Sequence, residues 1–381
     1  MDFAFSEDQT AFKASVIDFA RKELNKDLRR REEREEFPME AWRACANFGV
    51  QGLPVPQEYG GSAADIMTTV LMMEGLGYAC PDNGLIFSLN AQMWSLELPL
   101  LEFGTPGQKQ KFLPGLVSGK IIGVHAMTEP ESGSDAFSLK TRATQKGDKY
   151  VLNGSKLYIT NAPVADVVVV FATVKPGSGF AGVTAFLVEK GTPGFSVGPP
   201  LGKLGLRTSP MGEIILKDCE IPAENRLGKE GAGMAIFNSS MEWERSCILA
   251  SAVGAMQRQL EECVQYVRTR KQFGQPIGKF QSVSNKISDM YLRVEAARLM
   301  IYKVAWLKQS GKPATAEAAA AKVFTSEAWV QTCLDAIQIH GAHGYMRDSG
   351  IERDLRDSVA GTIYSGTSEI QRLIIARTLG L

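Results

Sequence analysis

One acidic side chain stands out because of the residues around it. Glu244 lies in the run Ser240–Ile248, which we predict to open a long helix. Helical neighbours three and four positions apart share a face, so Met241, Cys247 and Ile248 lie beside it. A carboxylate in an apolar stripe is costly to bury unless it is paired or functional. Glu244 is therefore a candidate catalytic base; the alternative is a structural salt bridge or a carboxylate at a helix N-terminus.

Two loops carry residue types that suit a phosphorylated cofactor. The run Thr128–Asp135 is rich in turn residues; its small residues let backbone N–H groups approach a ligand, and Thr and Ser supply hydroxyls. The run Arg268–Gly278 is basic, and a guanidinium suits bidentate capture of pyrophosphate. Taken alone, the first run could be an ordinary hairpin loop and the second a basic helix end terminated by Gly274.

The composition argues against several functional classes. Lys+Arg and Asp+Glu number 42 each, so no global field attracts nucleic acid or an anionic membrane. The run Met1–Asp8 lacks the pattern of a secretory signal, and the longest apolar run, around Val167–Ala172, is too short for a membrane span and predicts a buried strand. Six cysteines without a CxxC pair indicate reduced thiols and a cytoplasmic location. His340 and His343 alone do not make a metal site, so no metal is expected.

The periodicity of the chain changes twice. Residues 1–120 are predicted to be helical, residues 121–228 to form a small β-domain, and residues 229–381 to be helical again. The Asn153-Gly154 pair is the strongest hairpin signal and predicts a turn in the middle part. The charged run Arg21–Glu36 predicts a solvated helix end. The predicted fold class is mainly α with a central β-domain.

Several of these runs resemble the motifs of the acyl-CoA dehydrogenases. The run Tyr364–Arg372 resembles the closing signature of that family, and Thr128–Asp135 resembles its TEPxAGSD segment. Arg268–Gly278 is similar to its RxxFG loop, and Gln338–Ala342 to its QxxGG segment, with Ala342 in place of the second glycine. The resemblance covers the whole chain. It implies an N-terminal helical domain, a β-barrel and a C-terminal four-helix bundle.

The resemblance also implies FAD as the cofactor. The family packs an aromatic residue at the Tyr158 position on the flavin face, and it donates the residues at the Arg270 and Phe273 positions across a subunit interface. The positions that match the cofactor contacts of the family are Met127, Thr128, Gly133, Ser134, Tyr158, Thr160, Arg270, Phe273, Gln338, Gly341, Thr367 and Glu369.

The closing signature departs from the family at the catalytic position. Most members carry their base, a glutamate, where this chain has Ser365. Isovaleryl-CoA and long-chain dehydrogenases lack that glutamate and place one directly before an arginine, as Glu244 precedes Arg245. The resemblance thus implies that Glu244 removes the α-proton of an acyl thioester while hydride passes to flavin N5. It also implies that the backbone N–H of Ser365 is kept as an oxyanion donor.

The runs Ser239–Arg245 and Ile363–Ser368 look most like the prolyl carrier-protein dehydrogenases within that family. Tyr364 would narrow the acyl site to suit a five-membered ring, and Tyr364 and Arg245 are the expected substrate-binding residues. The implied substrate is an L-prolyl thioester on an acyl or peptidyl carrier protein, in natural-product biosynthesis. The implied assembly is a homotetramer, with an electron-transferring flavoprotein or oxygen as electron acceptor.

Three alternatives stay open at this point. One is a short branched-chain acyl-CoA dehydrogenase of the isovaleryl type. The second is a flavin monooxygenase on the same scaffold, which Glu244 disfavours because such members generally lack a base glutamate. The third is an interaction protein without flavin, which the filled nucleotide-contact positions disfavour.

Overall fold

The order of structural elements follows the changes in sequence periodicity. A computed structural model of the protein describes residues 4–136 and 138–381, so the first three residues of the Met1–Asp8 run lie outside it. Helices come first, a large sheet follows, and helices return after it. The predicted fold class, mainly α with a central β-domain, is confirmed.

Several of the helices before the sheet have side-chain N-terminal caps. The helices in this part are α1 Glu7–Glu23, α2 Leu28–Glu33, α3 Met39–Phe48, α4 Ile66–Ala79, α5 Asn83–Gln92, α6 Leu98–Phe103 and α7 Pro106–Val117. Such caps begin α1, α4, α5 and α7. Ser6 and Thr105 cap α1 and α7 through reciprocal bonds with the glutamines three residues later. A π-helical turn, Met93–Glu97, joins α5 to α6. This turn borders the candidate active site.

The charged run Arg21–Glu36 is less exposed than predicted. Arg31 and Glu32 are both buried, at 8% exposure each. The guanidinium of Arg31 donates to Asp82 across 3.0 Å, and Glu32 accepts from Arg356 across 2.6 Å. The prediction of a solvated helix end was wrong for these two residues, because charges can be buried when each has a partner.

The central part is one eight-stranded sheet in the order β6-β7-β3-β2-β4-β5-β8, with β1 parallel to β4. Its strands are β1 Gly123–Ala126, β2 Arg142–Lys146, β3 Lys149–Thr160, β4 Val167–Thr173, β5 Val183–Glu189, β6 Phe195–Val197, β7 Met211–Pro222 and β8 Arg226–Leu227. Strand β4 contains the predicted buried strand, which is confirmed. Val168 and Val170 join the core of the sheet, whereas Val169 and Phe171 join a second cluster with the helices. A strand covered on both faces has a continuous apolar run.

The Asn153-Gly154 pair does not form the predicted turn. Both residues lie inside β3, at a register shift in its pairing with β7. A side chain on Gly154 would come within 2.5 Å of Thr141, so the glycine permits a close approach at a bulge. The hairpin turn lies earlier, where Lys146 pairs with Lys149. The local sequence signal was outweighed by tertiary packing.

The helices after the sheet include an unpredicted break. They are α8 Gly233–Glu244, α9 Ala250–Thr269, α10 Gln281–Gln309, α11 Thr315–His340, α12 Ala342–Tyr345, α13 Ile351–Val359 and α14 Ser368–Thr378, with a short hairpin of β9 Lys271–Gln272 and β10 Gln275–Pro276. The run Ser240–Ile248 was predicted to open one long helix. Instead α8 ends at Glu244, and a 3₁₀ turn, Cys247–Leu249, leads into α9. The helical spacing that was used to place Cys247 and Ile248 beside Glu244 therefore does not apply beyond Glu244.

The helices from the two ends of the chain share one hydrophobic core, which joins α1, α3, α4 and α5 to α9, α10 and α11. Helices α4 and α9 approach closely at two glycines. A side chain on Gly77 would lie 1.9 Å from the Ser251 carbonyl oxygen, and one on Gly254 would lie 2.0 Å from that of Glu74. This contact fixes the N-terminal helices, including the π turn, against the start of the C-terminal helices.

Candidate active site

The Glu244 carboxylate is held by two serines from distant parts of the chain. Ser365 Oγ donates to Glu244 Oε2 across 2.5 Å. Ser95 Oγ, from the π turn, donates to the other oxygen, Oε1. Glu244 is partly exposed and stands at the last position of α8. The three residues thus converge on one point between the N-terminal and C-terminal helices.

The backbone around Ser365 forms a tight turn before α14. Ser365 has a left-handed φ of 54°, which is uncommon outside glycine. The buried Gln371 side chain holds the turn by donating to the carbonyl oxygens of Ser365 (3.1 Å) and Gly366 (3.0 Å). Thr367 then caps α14, and Glu369 lies exposed in its first turn. The turn fixes both the hydroxyl and the N–H of Ser365.

The electrostatics of Glu244 suit a base. Burial raises the pKa of its carboxyl, while hydrogen bonds from Ser365 and Ser95 and the charge of Arg245 oppose that rise. The C-terminal end of α8 adds a further unfavourable interaction with a carboxylate, since the helix dipole is negative there. The position is therefore opposite to the N-terminal helix end considered from the sequence. A carboxyl with a raised pKa is a stronger base when ionised.

Ser365 presents two separate groups to the site. The resemblance invoked only its backbone N–H as an oxyanion donor, and within the described ranges no acceptor bonds to that N–H. Its hydroxyl, in contrast, is engaged with Glu244. The side chain at this position therefore acts on the candidate base, which the sequence did not predict.

Aromatic side chains surround the Glu244 region. The Tyr364 ring packs on Phe87 with centroids 4.7 Å apart, and Trp94 stacks on Trp243 at 5.8 Å. Burial, and then the charge of Glu244, raise the pKa of the Tyr364 hydroxyl, which places it near the carboxylate. These rings limit the space for an acyl group.

Arg245 directly follows the candidate base and lies between α8 and the 3₁₀ turn. Within the described ranges its Nε is buried and has no hydrogen-bond partner. Burial lowers the pKa of its guanidinium, and the charges of Glu244 and Glu242 oppose that effect. Its assignment to substrate binding stays a prediction.

A buried ion pair anchors the loop Thr128–Asp135. Lys156 Nζ donates to Glu129 Oε1 across 2.8 Å and to the Met127 carbonyl oxygen across 2.9 Å. Glu129 also accepts from the backbone N–H of Thr141 at 3.0 Å. Burial alone would raise the pKa of Glu129, but Lys156 and these hydrogen bonds outweigh it and lower the pKa. The loop is thus fixed by its own glutamate.

The strand beside this loop holds an aromatic ring outward. Tyr158 lies at a register shift in β3, has a left-handed φ of 59° and is 60% exposed. The backbone N–H of Leu157 donates to the Thr128 carbonyl oxygen across 2.9 Å, and Thr160 ends the strand. The predicted cofactor-binding residues of the Thr128–Asp135 loop therefore lie beside those at the end of β3, Tyr158 and Thr160.

A second group of predicted cofactor residues lies at the end of α9 remote from Glu244: Arg270, Phe273, Gln338 and Gly341. The rings of Tyr266 and His340, 4.1 Å apart, hold the ends of α9 and α11 together. Phe273 sits in the turn of the short hairpin and is 93% exposed. Among the described residues, no hydrogen bond, ion pair or ring contact joins this group to Thr128–Thr160.

No sequence pattern pointed to Ser95, and only a weak one pointed to Lys156. Ser95 is a lone serine in an apolar stretch, 149 residues before its partner. Lys156 is a charge within a strand whose neighbours are largely buried, and such a position calls for a partner. Glu129 was part of a recognised motif, but its role as the anchor of the loop was missed.

Over residues 4–136 and 138–381, no group of three or more His, Cys, Asp and Glu side chains is arranged to hold a metal ion. Across the same residues, no helix combines the length and the apolar character needed to span a membrane.

This fold and this arrangement around Glu244 define a flavin-linked dehydrogenase class. Family models for the N-terminal, middle and C-terminal domains of acyl-CoA dehydrogenase match residues 6–120, 125–219 and 231–380. The chain therefore belongs to the acyl-CoA dehydrogenase family, as its motifs predicted, and it is a flavin-dependent oxidoreductase.

Individual relatives are similar over the full length. An L-prolyl-[peptidyl-carrier protein] dehydrogenase of Serratia sp. is 44% identical, over 100% of this chain and 99% of that protein. The crystal structure of the prolyl acyl carrier protein oxidase AnaB has a TM-score of 0.98 and 53% identity, covering 99% of this chain and 100% of that one. The structure of PigA with FAD and proline has a TM-score of 0.98 and 43% identity, with full coverage of both chains. The predicted resemblance to prolyl carrier-protein dehydrogenases is confirmed.

Proposed function

We propose that this protein is an FAD-dependent dehydrogenase of an L-prolyl group held as a thioester on an acyl or peptidyl carrier protein, with Glu244 as the base. The contact between Ser365 and Glu244 carries this proposal. The chain position that usually holds the base of the family touches the Glu244 carboxylate, and this contact supports the assignment of Glu244 as the base. The proposed substrate class, an L-prolyl group on a carrier protein, is that of the similar L-prolyl-[peptidyl-carrier protein] dehydrogenase.

The residues present fit FAD. Tyr158 offers an exposed ring beside the Thr128 loop, and additional side-chain bulk at Gly133 or Gly341 would meet open space, so a ligand can approach the backbone there. FAD, when bound, supplies the hydride acceptor of the reaction. The residues that would hold it are Met127, Thr128, Gly133, Ser134, Tyr158, Thr160, Thr367 and Glu369 of one subunit, with Arg270, Phe273, Gln338 and Gly341 of a second.

Glu244 would take the α-proton of the prolyl thioester. The α-proton of a thioester is a weak acid, so its removal needs a carboxylate in contact with it. The unbonded N–H of Ser365 is available to stabilise the negative charge that develops on the thioester oxygen. The rings of Tyr364, Trp94 and Trp243 would enclose the five-membered ring and exclude water.

The partner and assembly form part of the same proposal. A carrier protein delivers the substrate, and an electron-transferring flavoprotein or oxygen removes the electrons. The separation of the two cofactor groups within one chain supports a site that two subunits complete together, and the proposed assembly, a homotetramer, follows from the resemblance to the family. The proposed parts, residues 1–120, 121–228 and 229–381, then each contribute to catalysis in a cytoplasmic enzyme.

Anaerobic mixing tests the function. The flavin colour of the purified protein should bleach with L-prolyl carrier protein and change little with isovaleryl-CoA. Glu244→Gln should keep bound flavin and lose the bleaching, because the amide cannot accept the proton. Bleaching by isovaleryl-CoA alone would assign the protein to branched-chain acyl-CoA substrates, and full-speed bleaching in Glu244→Gln would remove Glu244 as the base.

A further inference from the structure

Ser95 is a buried serine that neither the family motifs nor the similar proteins single out. Its side chain belongs to the π-helical turn Met93–Glu97, and it is 2% exposed. Single π turns inside helical segments are rare and are frequently found at functional sites. In this turn, Trp94 packs against Trp243 while Ser95 bonds to Glu244. The π turn therefore contacts the C-terminal end of α8 through two neighbouring side chains, Trp94 and Ser95.

The hydroxyls of Ser95 and Ser365 bind different oxygens of the Glu244 carboxylate. Ser95 donates to Oε1 and Ser365 to Oε2, so each oxygen accepts one hydrogen bond. A carboxylate oxygen has two lone pairs, so each keeps one for an incoming proton. Rotation of the carboxylate plane would break at least one of the two bonds. The group is thereby held in one orientation and remains able to accept a proton.

The same two bonds act on the charge of Glu244. Burial favours the neutral acid, whereas hydrogen bonds to the carboxylate favour the ionised form that can act as a base. Among the described residues, the other titratable or charged groups that face this carboxyl are Arg245, at the end of the same helix, and Tyr364, beside Ser365. Substituting Ser95 leaves both of them in place.

We propose that Ser95 is a positioning residue for the base: with Ser365 it forms a two-hydroxyl clamp that orients the Glu244 carboxylate. The role in turnover rests on the proposed function, since it requires Glu244 to be the base. The clamp itself exists independently of any substrate and can be tested without one.

The first test titrates Glu244 in the FAD-loaded resting enzyme. Infrared difference spectra across pH would follow its carboxyl band, with Glu244→Gln used to assign the band. In Ser95→Ala the titration midpoint should move to higher pH. Ser88→Ala is the matched control, because Ser88 is also buried, lies nearby in α5 and bonds to Ser209 at 2.7 Å instead of to Glu244. A Ser95→Ala midpoint equal to that of the wild type would overturn the proposal.

The second test measures flavin reduction by L-prolyl carrier protein in single turnovers. At neutral pH the rate in Ser95→Ala should fall roughly tenfold or more, as expected for losing a hydrogen bond to a charged group, and should partly recover at higher pH. Affinity for the carrier protein should stay unchanged. An equal loss at every pH, matched by Ser88→Ala, would indicate a purely structural role and refute the clamp.

The two tests separate failure of the inference from failure of the proposed function. A wild-type protein that L-prolyl carrier protein cannot bleach would contradict the function, while the infrared midpoints would still decide the role of Ser95. If Ser95→Ala does not fold, Ser95→Cys preserves size with a weaker donor and should shift the midpoint in the same direction by less. An unshifted midpoint in that variant would also overturn the proposal.

Discussion

The hydroxyl of Ser365 lies 2.5 Å from Oε2 of Glu244, so the position at which most of the family carries its base here contacts the proposed base on another helix. A glutamate at position 365 would bring two carboxylates into contact, and such a pair cannot readily ionise together. Serine at 365 and glutamate at 244 are thus compatible where two glutamates are not. The proposed relocation of the base to Glu244 would therefore go together with the loss of a glutamate at position 365.

Replacing Ser365 by alanine tests this relationship. The backbone N–H remains, so an effect reports on the hydroxyl. Because that hydroxyl lowers the pKa of Glu244, its loss should move the midpoint of the pH–rate profile for flavin reduction upward. The rate at neutral pH should fall roughly tenfold or more, with recovery in alkaline buffer. A profile identical to that of the wild type would show that the hydroxyl is dispensable.

The buried ion pair of Lys156 and Glu129 should contribute more to the stability of the folded protein than the exposed pair of Lys149 and Glu220. In Lys156→Met the Glu129 carboxylate would stay buried without its cation, which costs about 3–5 kcal/mol. The loop that it anchors should loosen, so bound FAD should also be lost. Lys149→Met removes an ion pair of 3.2 Å whose side chains are both 54% exposed, and it should change the urea midpoint little. Equal midpoints for the two variants would contradict this assignment.

The sequence predicted what depends on local patterns and recognised motifs, and it missed what depends on distant contacts. The helix–sheet–helix order and the strand Val167–Ala172 follow from periodicity, and both were confirmed. The Asn153-Gly154 turn failed because the glycine is required for close contact with Thr141, which is remote from the turn signal. Glu244 was predicted to be a base from apolar neighbours at helical spacing on both sides of it, although the helix ends at Glu244 itself. Its two serine partners, 149 and 121 residues away, could come only from the folded chain.

Glu97 should make stability depend on pH. It is fully buried, and burial raises its pKa to about 8, while one oxygen accepts from Gln92 at 2.8 Å. The folded protein therefore holds a proton that the unfolded chain releases above about pH 4.5. Stability from this residue is present below that pH and is lost as pH rises towards about 8.

Glu97→Gln mimics the protonated acid and should remove this loss. Denaturation midpoints of the variant and the wild type should agree near pH 5 and separate by pH 9, with the variant more stable by an amount on the order of a few kcal/mol. Midpoints that stay parallel from pH 5 to pH 9 would show that Glu97 does not hold the proton.

Tyr364 should set the size of the acyl site. Its ring packs on Phe87 near Glu244, so Tyr364→Ala would open space beside the base. Bleaching by isovaleryl-CoA should then increase relative to bleaching by L-prolyl carrier protein, measured as a ratio of reduction rates. Phe12→Ala, which removes a ring stacked on Phe48 in the N-terminal helices, is a control for general loss of packing. A fall in both rates with an unchanged ratio would deny Tyr364 a part in selectivity.

Arg270 should act at the site of a neighbouring subunit. It follows α9, at the end of that helix remote from Glu244, next to the exposed ring of Phe273. An arginine there can bind pyrophosphate only if a second chain brings the cofactor to it. Arg270→Ala should therefore lose FAD, seen as a lower ratio of flavin to protein absorbance, and should dissociate more readily in sedimentation.

The exposed neighbour Lys271 supplies the control for Arg270. Lys271→Ala removes a charge from the same hairpin but leaves the guanidinium, so its flavin content and sedimentation should match those of the wild type. Equal flavin loss in both variants would indicate a general effect of charge on this surface. An Arg270→Ala protein that remains yellow and fully assembled would place the pyrophosphate contact elsewhere. Since Arg270 makes no hydrogen bond or ion pair with the described residues of Thr128–Thr160 in its own chain, selective loss in Arg270→Ala would support completion of each site by two subunits.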